Sequence, residues 1–419
     1  MKSTKTQLLV VLAVAFLLRL VYIATLDDLV FWEDEYDYLE LGKSLAEGRG
    51  FVDVQGRPTA FRPLGYPLLL AALNFIGCER PSEIRLVHSL LGSVAVYFVF
   101  KIAALIMPPS FALAAALYAA VYPYFIFMTG TLFANLWFSV TLLTAVYALF
   151  IAIKKGRVGL SAPAGALIGV STLSVTTAGI LAPITLLWLF WTQQENRHRT
   201  FRHAAVFFAA FLLVVLPWMA RNALVLGVPT LSTNGGRNLW LGNNPAATYN
   251  TGSNLDLPPD LEQRLAGASE TEADKIYTQE AKMFIKAHPL HFVRLSFLKG
   301  AALWRFDPSP TTDGYDVDPR IGKSLSILTY TPILLLALYG VLKTDLVRRK
   351  EWLLWLLYFA AFTCVHAVFI SKVRFRLPLD HFLMIMAAGS MQKLIARFKA
   401  ARTRRIVWKM EYDKEHALV

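Results

Sequence analysis

Charge is scarce in this sequence. Asp, Glu, Lys and Arg make up 17% of its 419 residues, where a soluble chain carries about 25%. Cysteine is scarcer still: Cys78 and Cys364 stand far apart and form neither a disulfide framework nor a metal-ligand spacing. There is no Gly-x-x-x-x-Gly-Lys-Ser/Thr loop and no Gly-x-Gly-x-x-Gly turn. No connector on the basic side is long enough to hold a nucleotide-binding domain. ATP and soluble nucleotide sugars are therefore not expected substrates, and a donor should come from the membrane itself. Internal repeats and low-complexity segments are also absent.

Apolar residues are abundant. The chain is 56% hydrophobic, with a mean hydropathy of +0.47, and apolar runs of about 20 residues recur along it, which predicts an all-α polytopic membrane protein. A net charge of +13 would suggest nucleic-acid binding in a soluble protein. Here it fits cytoplasmic loops that collect Lys and Arg, so membrane lipids are expected partners and nucleic acid is not.

The pattern predicts about ten crossings with both ends inside: 7–26, 84–106, 109–128, 131–153, two short helices at 160–174 and 177–192, then 204–226, 323–342, 351–370 and 375–394. The basic clusters test this topology. Lys2 and Lys5, Lys154 to Arg157, Arg197 to Arg202, Lys343 to Lys350 and the tail from Lys393 onward all fall on one side. Glycines and prolines interrupt 160–192, so that stretch reads as two short helices or one broken one. No small-x-small site follows the first apolar run, which is read as a retained helix and not a leader. The expected division is 1–226, an N-terminal transmembrane module whose first outer loop is 27–83; 227–322, an outer loop and helical segment; 323–396, the C-terminal spans; and 397–419, a basic cytoplasmic tail.

The first outer loop is the most informative stretch. It opens with Glu33, Asp34 and Glu35 and closes on Arg62 in Arg-Pro-Leu-Gly-Tyr-Pro. Between them, Tyr36 to Glu47 has an apolar stripe of Tyr38, Leu41, Leu45 and Ala46, the pattern of an interface helix. Gly65–Gly77 is apolar but too short to cross. Arg221, Arg305, Lys372, Arg374 and Arg376 fall at the same outer level. Acids beside guanidiniums at one interface suggest a base next to an anion site, because the planar Arg fork can hold two phosphate oxygens. Each residue also has a plainer role. The three acids suit the first turn of a helix, and an Arg near a span end anchors it by snorkelling. His88, His366 and His381 read as packing groups, and Asp380–His381 is a single pair without further support.

Four segments together resemble the GT-C glycosyltransferases of the dolichyl-phosphate-mannose–protein mannosyltransferase-like class, whose bacterial relatives include the transferase that adds aminoarabinose to lipid A. They are WEDEYDYLELGKSLAEGRGF, FRPLGYPLLLAAL, PWMARNALVLGVPTLSTNGGRNLWLGNNP and SKVRFRLPLDHFLMIMAA. The resemblance implies a GT-C-like bundle that uses a polyprenyl-phosphate-linked sugar on the outer face of a membrane, here the bacterial cytoplasmic membrane. It implies Asp34, with Glu35 beside it, as the catalytic base or the group that positions the acceptor hydroxyl. It also implies Arg62, Arg221, Arg374 and Arg376 near the donor phosphate. The sequence departs from the pattern twice. Asn135 stands where relatives often carry an acid, and Phe61 where the aminoarabinose enzymes have Glu. Both changes remove possible metal ligands, so no cofactor is expected and the sequence does not support a divalent metal.

The chemistry expected from these residues is transfer to an acceptor hydroxyl on a protein, lipid or glycan. A single base without a protein nucleophile predicts inversion at the anomeric carbon. The competing expectation is a lipid or glycan transporter or flippase. It would call for ionisable residues deep in the bilayer or paired repeats.

Overall fold

The computed structural model describes residues 2–251, 256–305 and 319–416. The expected outer segment and tail therefore fall partly outside the described residues, at 252–255, 306–318 and 417–419. Among the described residues there is no β-strand, only an isolated antiparallel bridge between Val52 and Pro58.

The first span is helix α1, Lys2–Ile23. The loop after it carries α2, Glu33–Ala46, and α3, Gly65–Phe75. These two short helices pack on one another so tightly that a Cβ on Gly42 would lie 2.7 Å from that of Leu70. Helix α4, Pro81–Ala103, returns through the bundle. The expected span 109–128 is broken into α5, Pro109–Val121, and α6, Pro123–Gly130, bent by 48°. Pro123 has no N–H to donate to Ala119. Buried Arg19 of α1 reaches that break, donating to the carbonyls of Ala120 (3.1 Å) and Ala119 (3.5 Å). Its charge inside an apolar helix thus serves carbonyls that the bend exposes.

Helix α7, Ala134–Lys155, ends on Gly156 at φ +63. The glycine-interrupted stretch becomes two helices, α8, Ser161–Ser174, and α9, Leu181–Thr192. The glycines of α8 allow it to approach α10, Arg197–Leu226. A Cβ on Gly165 would sit 1.9 Å from the Phe207 carbonyl oxygen. The segment expected on the outer side then forms α11, Gly235–Leu241, α12, Pro259–Leu265, α13, Glu270–Ala287, and α14, Pro289–Leu303. His288–Pro289 divides the last two, as the sequence predicted. Trp304, just beyond α14, donates its indole N–H to Thr363 of α16, Lys350–Val368. The end of α14 therefore runs down the side of a span.

Helix α15, Pro319–Lys343, precedes α16, and α17, Val373–His416, completes the chain. Position 397, the expected start of the tail, lies inside α17, a single helix of 44 residues.

Among the described residues, six helices are long and apolar enough to cross a membrane, or seven if the bent α5–α6 pair is taken as one span. The ten expected crossings also counted α8, α9 and the start of α17. α8 and α9 have 14 and 12 residues, short of the ~20 that a lone span needs. The first turns of α17 carry Arg374, Arg376 and Asp380. The protein is an all-α polytopic membrane protein. Its main core joins side chains from α1, α4 to α10 and α15 to α17, and the loop of α2 and α3 caps one end of this bundle.

Candidate active site

The three acids open α2 together, after an extended Trp32 (φ −136, ψ 148). Carboxylates are favoured there because the first N–H groups of a helix lack internal partners. Their side chains then part. Glu33 is exposed, which fits a helix-start charge.

Glu35 is fully buried and accepts from the backbone N–H groups of Phe31 (3.0 Å) and Leu132 (2.8 Å). Burial raises the pKa of its carboxyl, with those N–H groups and Arg85 opposing. Arg85 fastens the same corner, donating to the carbonyls of Asp27, Leu29 and Gly130 and lying over the Phe31 ring. Glu35 therefore ties the first loop to the turn between α6 and α7. The sequence grouped it with Asp34; the structure encloses it.

Asp34 faces the other way, between two arginines. One carboxylate oxygen takes Nη2 of Arg62 at 2.5 Å, and the other takes Nη2 of Arg374 at 3.1 Å. Arg62 also donates from Nε and Nη2 to Asp37, at 3.1 and 2.8 Å. Aromatic faces hold both guanidiniums. Arg62 lies over Tyr38 and Phe61, and Arg374 over Phe133 and Phe375. The three side chains keep between 14% and 29% of their exposure, so the cluster is recessed but reachable. Burial alone would raise the Asp34 pKa. The two guanidiniums outweigh it and hold the carboxyl below its ordinary range. Arg62 responds in the opposite sense: burial opposes its charge, but Asp34, Tyr38 and Asp37 push its pKa up.

Asp37 was missed in the sequence. A signal was available, because Asp34 and Asp37 are three residues apart and share one face of α2.

Arg374 is placed through a gap in its own helix. Pro378 has no N–H for the Arg374 carbonyl four residues earlier, and Asn135 Nδ2 donates to that carbonyl instead, at 2.9 Å. An amide can do this and a carboxylate cannot, which gives Asn135 a physical reason where an acid was the comparison. Buried Lys299 secures the preceding turn, donating to the carbonyls of Gly242, Val368 and Phe369 at 2.8–3.0 Å.

The other two expected arginines do not meet Asp34. Arg221 donates to the carbonyls of Thr59 (2.7 Å) and Phe51 (2.9 Å), against the rings of Trp218 and Phe51. It straps the loop between α2 and α3 to α10. Arg376 is 1% exposed and is closed by Asp380 at 2.9 Å, by the carbonyls of Leu303 and Arg305, and by the Tyr330 ring. It joins α17 to the end of α14. His88, bonded to Tyr66 and the Thr131 carbonyl, and His381, stacked on Phe125, are packing groups, as expected. Among the described residues, no three His, Cys, Asp or Glu side chains group so as to hold a metal ion.

The Asn135 contact supports a direct prediction. Asn135→Leu leaves a half-buried carbonyl unmet, at a cost of about 1–3 kcal/mol, and Asn135→Asp adds repulsion between two acceptors. Thermal unfolding in detergent is expected to show both losses, with Asp the worse. Equal stability of wild type and Asn135→Asp would mean that the amide does not hold Arg374.

Residues 62–220 match the family described as dolichyl-phosphate-mannose-protein mannosyltransferase. The match begins at Arg62 and covers less than half the chain. Among curated proteins none matches. The archaeal oligosaccharyltransferase AglB from Archaeoglobus fulgidus, in complex with an inhibitory peptide and a dolichol-phosphate, is similar in structure, with a TM-score of 0.58 at 13% identity. The alignment covers 96% of this chain and 52% of that one. The oligosaccharyltransferase of the same organism in complex with Zn and sulfate gives 0.53 at 16% identity, covering 95% and 50%. ArnT from Cupriavidus metallidurans bound to undecaprenyl phosphate gives 0.44 at 12%, covering 91% and 77%. The chain spans about half the length of the archaeal proteins it resembles.

Proposed function

We propose that this chain, which has the GT-C fold of membrane glycosyltransferases, transfers a sugar from a polyprenyl-phosphate donor to an acceptor hydroxyl. The transfer takes place at the outer face of the membrane, with inversion. The observation that carries this reading is the Asp34 carboxylate held between Arg62 and Arg374. Two guanidiniums around one carboxylate form a site for an oxyanion, and a donor phosphate competes for the same two forks.

In this reading the phosphate displaces Asp34 from its arginines. The freed carboxylate loses the charges that hold its pKa down and becomes a better base. It takes the proton of the acceptor hydroxyl, whose oxygen attacks the anomeric carbon. The bond from that carbon to the phosphate oxygen breaks, and its electron pair leaves with the polyprenyl phosphate. Arg62 and Arg374 stabilise the added negative charge, and Asp34 gives its proton to water. Arg221 and Arg376 serve by position, one holding the loop of Arg62 and the other the helix of Arg374. The segment carrying α11 to α14 covers this side of the bundle and is the place for acceptor selection. The basic clusters at the other ends of the expected spans support an outer-face site, and the reading takes the membrane to be the bacterial cytoplasmic one.

The test is proteoliposomes supplied with a labelled polyprenyl-phosphate sugar and candidate acceptors. Transfer is expected from the lipid donor and not from the matching nucleotide sugar, and Arg62→Ala and Arg374→Ala are each expected to weaken use of the donor. Full activity with a nucleotide sugar alone would overturn the reading.

Donor-released Asp34 also makes a pH prediction. In the free protein the Asp34 pKa is lowered. Its pairing with Arg62 and Arg374 is therefore fully present above the ordinary Asp value of about 3.9 and is lost only as pH falls through the lowered value. The acid limb of kcat/KM reports the free protein, and that of kcat the donor complex. The kcat limb is expected at higher pH than the kcat/KM limb. Coincident limbs would mean that the donor leaves the Asp34 pairs intact.

A further inference from the structure

The loop that delivers Arg62 is held from far along the chain. Glu270, the first residue of α13, accepts from the Thr59 hydroxyl at 2.5 Å and the Ala60 N–H at 2.8 Å, and from the Thr233 hydroxyl. Thr233 N–H donates back to the Ala60 carbonyl at 3.0 Å. Thr59, Ala60 and Thr233 are all buried. Thr59 is bound on two further sides: its hydroxyl accepts from Phe61 N–H, and its carbonyl takes Arg221. Arg62 follows three residues after Thr59. The backbone that aims it is thus fixed by Glu270 from one side and by Arg221 from the other.

The plain role for an acid at this position is to favour the helix start. That role is already filled in α13. Ser269 and Glu272 form a reciprocal capping box, each side chain meeting the other's backbone N–H. Both Glu270 oxygens are spent on other segments. One turn along, Asp274 accepts from Gly236 N–H at 2.6 Å. The contact is so close that a Cβ on Gly236 would lie 2.0 Å from the Asp274 carbonyl oxygen. One face of α13 therefore grips both the Arg62 loop and the 233–236 turn that opens α11.

We infer that Glu270 is a positioning residue that couples the outer helical segment to Arg62, so that the state of the segment sets the affinity for the donor phosphate. The coupling rests on the donor-site reading above, whereas the grip itself is independent of it.

Two readouts separate these claims. Hydrogen exchange reads the grip. In Glu270→Ala, amides at 60–62 and 233–236 are expected to exchange at least tenfold faster, while those of 83–100 in α4 stay unchanged. Unchanged protection at 60–62 overturns the inference, whatever the protein's activity. Binding of undecaprenyl phosphate in nanodiscs reads the coupling. Glu270→Ala is expected to weaken binding about tenfold, and Glu270→Gln less, because the amide oxygen still accepts one donor. In an Arg62→Ala background the Glu270 substitution is expected to add little, since two residues acting through one contact are not additive. Full additivity, or wild-type affinity in Glu270→Ala despite faster exchange, overturns the coupling. If Arg62→Ala itself leaves binding unchanged, the donor-site reading fails and exchange alone judges the grip. Lys393→Ala, which removes an exposed pairing with Asp345 away from this segment, serves as the control and is expected to change neither readout.

Discussion

Asp34→Asn is expected to lower sugar transfer by about 10²–10⁴-fold, the usual contribution of a positioned general base. The substitution keeps the size of the side chain and removes its ability to take a proton. It also removes the negative charge that Arg62 and Arg374 share in the resting site. The same variant is therefore expected to bind polyprenyl phosphate as tightly as wild type or more tightly, because the incoming phosphate no longer competes with a carboxylate. This split is the diagnostic result. Single-turnover transfer in proteoliposomes measures the loss, and phosphate binding in nanodiscs measures the gain. If affinity collapses together with turnover, Asp34 is a scaffold for the two arginines and not a base.

The largest loss of stability is expected at the buried pair of Arg376 and Asp380. Both side chains are nearly inaccessible, at 1% and 2%. Removing one member of such a pair leaves an uncompensated charge and costs about 3–5 kcal/mol. Asp380→Ala is the sharper case, because Arg376 keeps only two carbonyls and the Tyr330 face. The double variant Arg376→Met with Asp380→Leu replaces the pair by apolar groups of similar reach and is expected to recover most of the loss. Thermal unfolding of the purified protein gives both values. Wild-type stability in Asp380→Ala would mean that the pair does not hold α17 to α14.

Much of the fold was legible in the sequence because its signals are local. Apolar length marked most of the spans, with α4 expected at 84–106 and found at Pro81–Ala103. Proline marked the α13–α14 boundary, and acids marked the start of α2. The acidic loop and Arg62 were legible as a pair because both stand out against an apolar chain. The division of labour was not. Asp34 and Glu35 are neighbours of like chemistry, and only the arrival of the Leu132 N–H assigns one to structure. Four arginines were expected at one membrane level, but level does not say which guanidinium meets which partner. Arg221 found backbone carbonyls, Arg376 found Asp380 and two carbonyls, and Arg62 and Arg374 found Asp34. Glu270 was invisible for the same reason, since two of its partners lie some 210 residues away and the third 37, and its position reads as ordinary helix-start chemistry. Asn135 looked like a missing acid until Pro378 showed which carbonyl needed a donor.

Arg374 is the second residue of a helix that continues to His416, a rod about 65 Å long at 1.5 Å per residue. Its working end is the short end. The missing rung opposite Pro378 makes a compliant joint one turn from Arg374, and Asn135 clamps the far side of that joint. The distance between the Arg374 guanidinium and Asp34 therefore rests on one amide hydrogen bond at the weakest turn of the longest helix described.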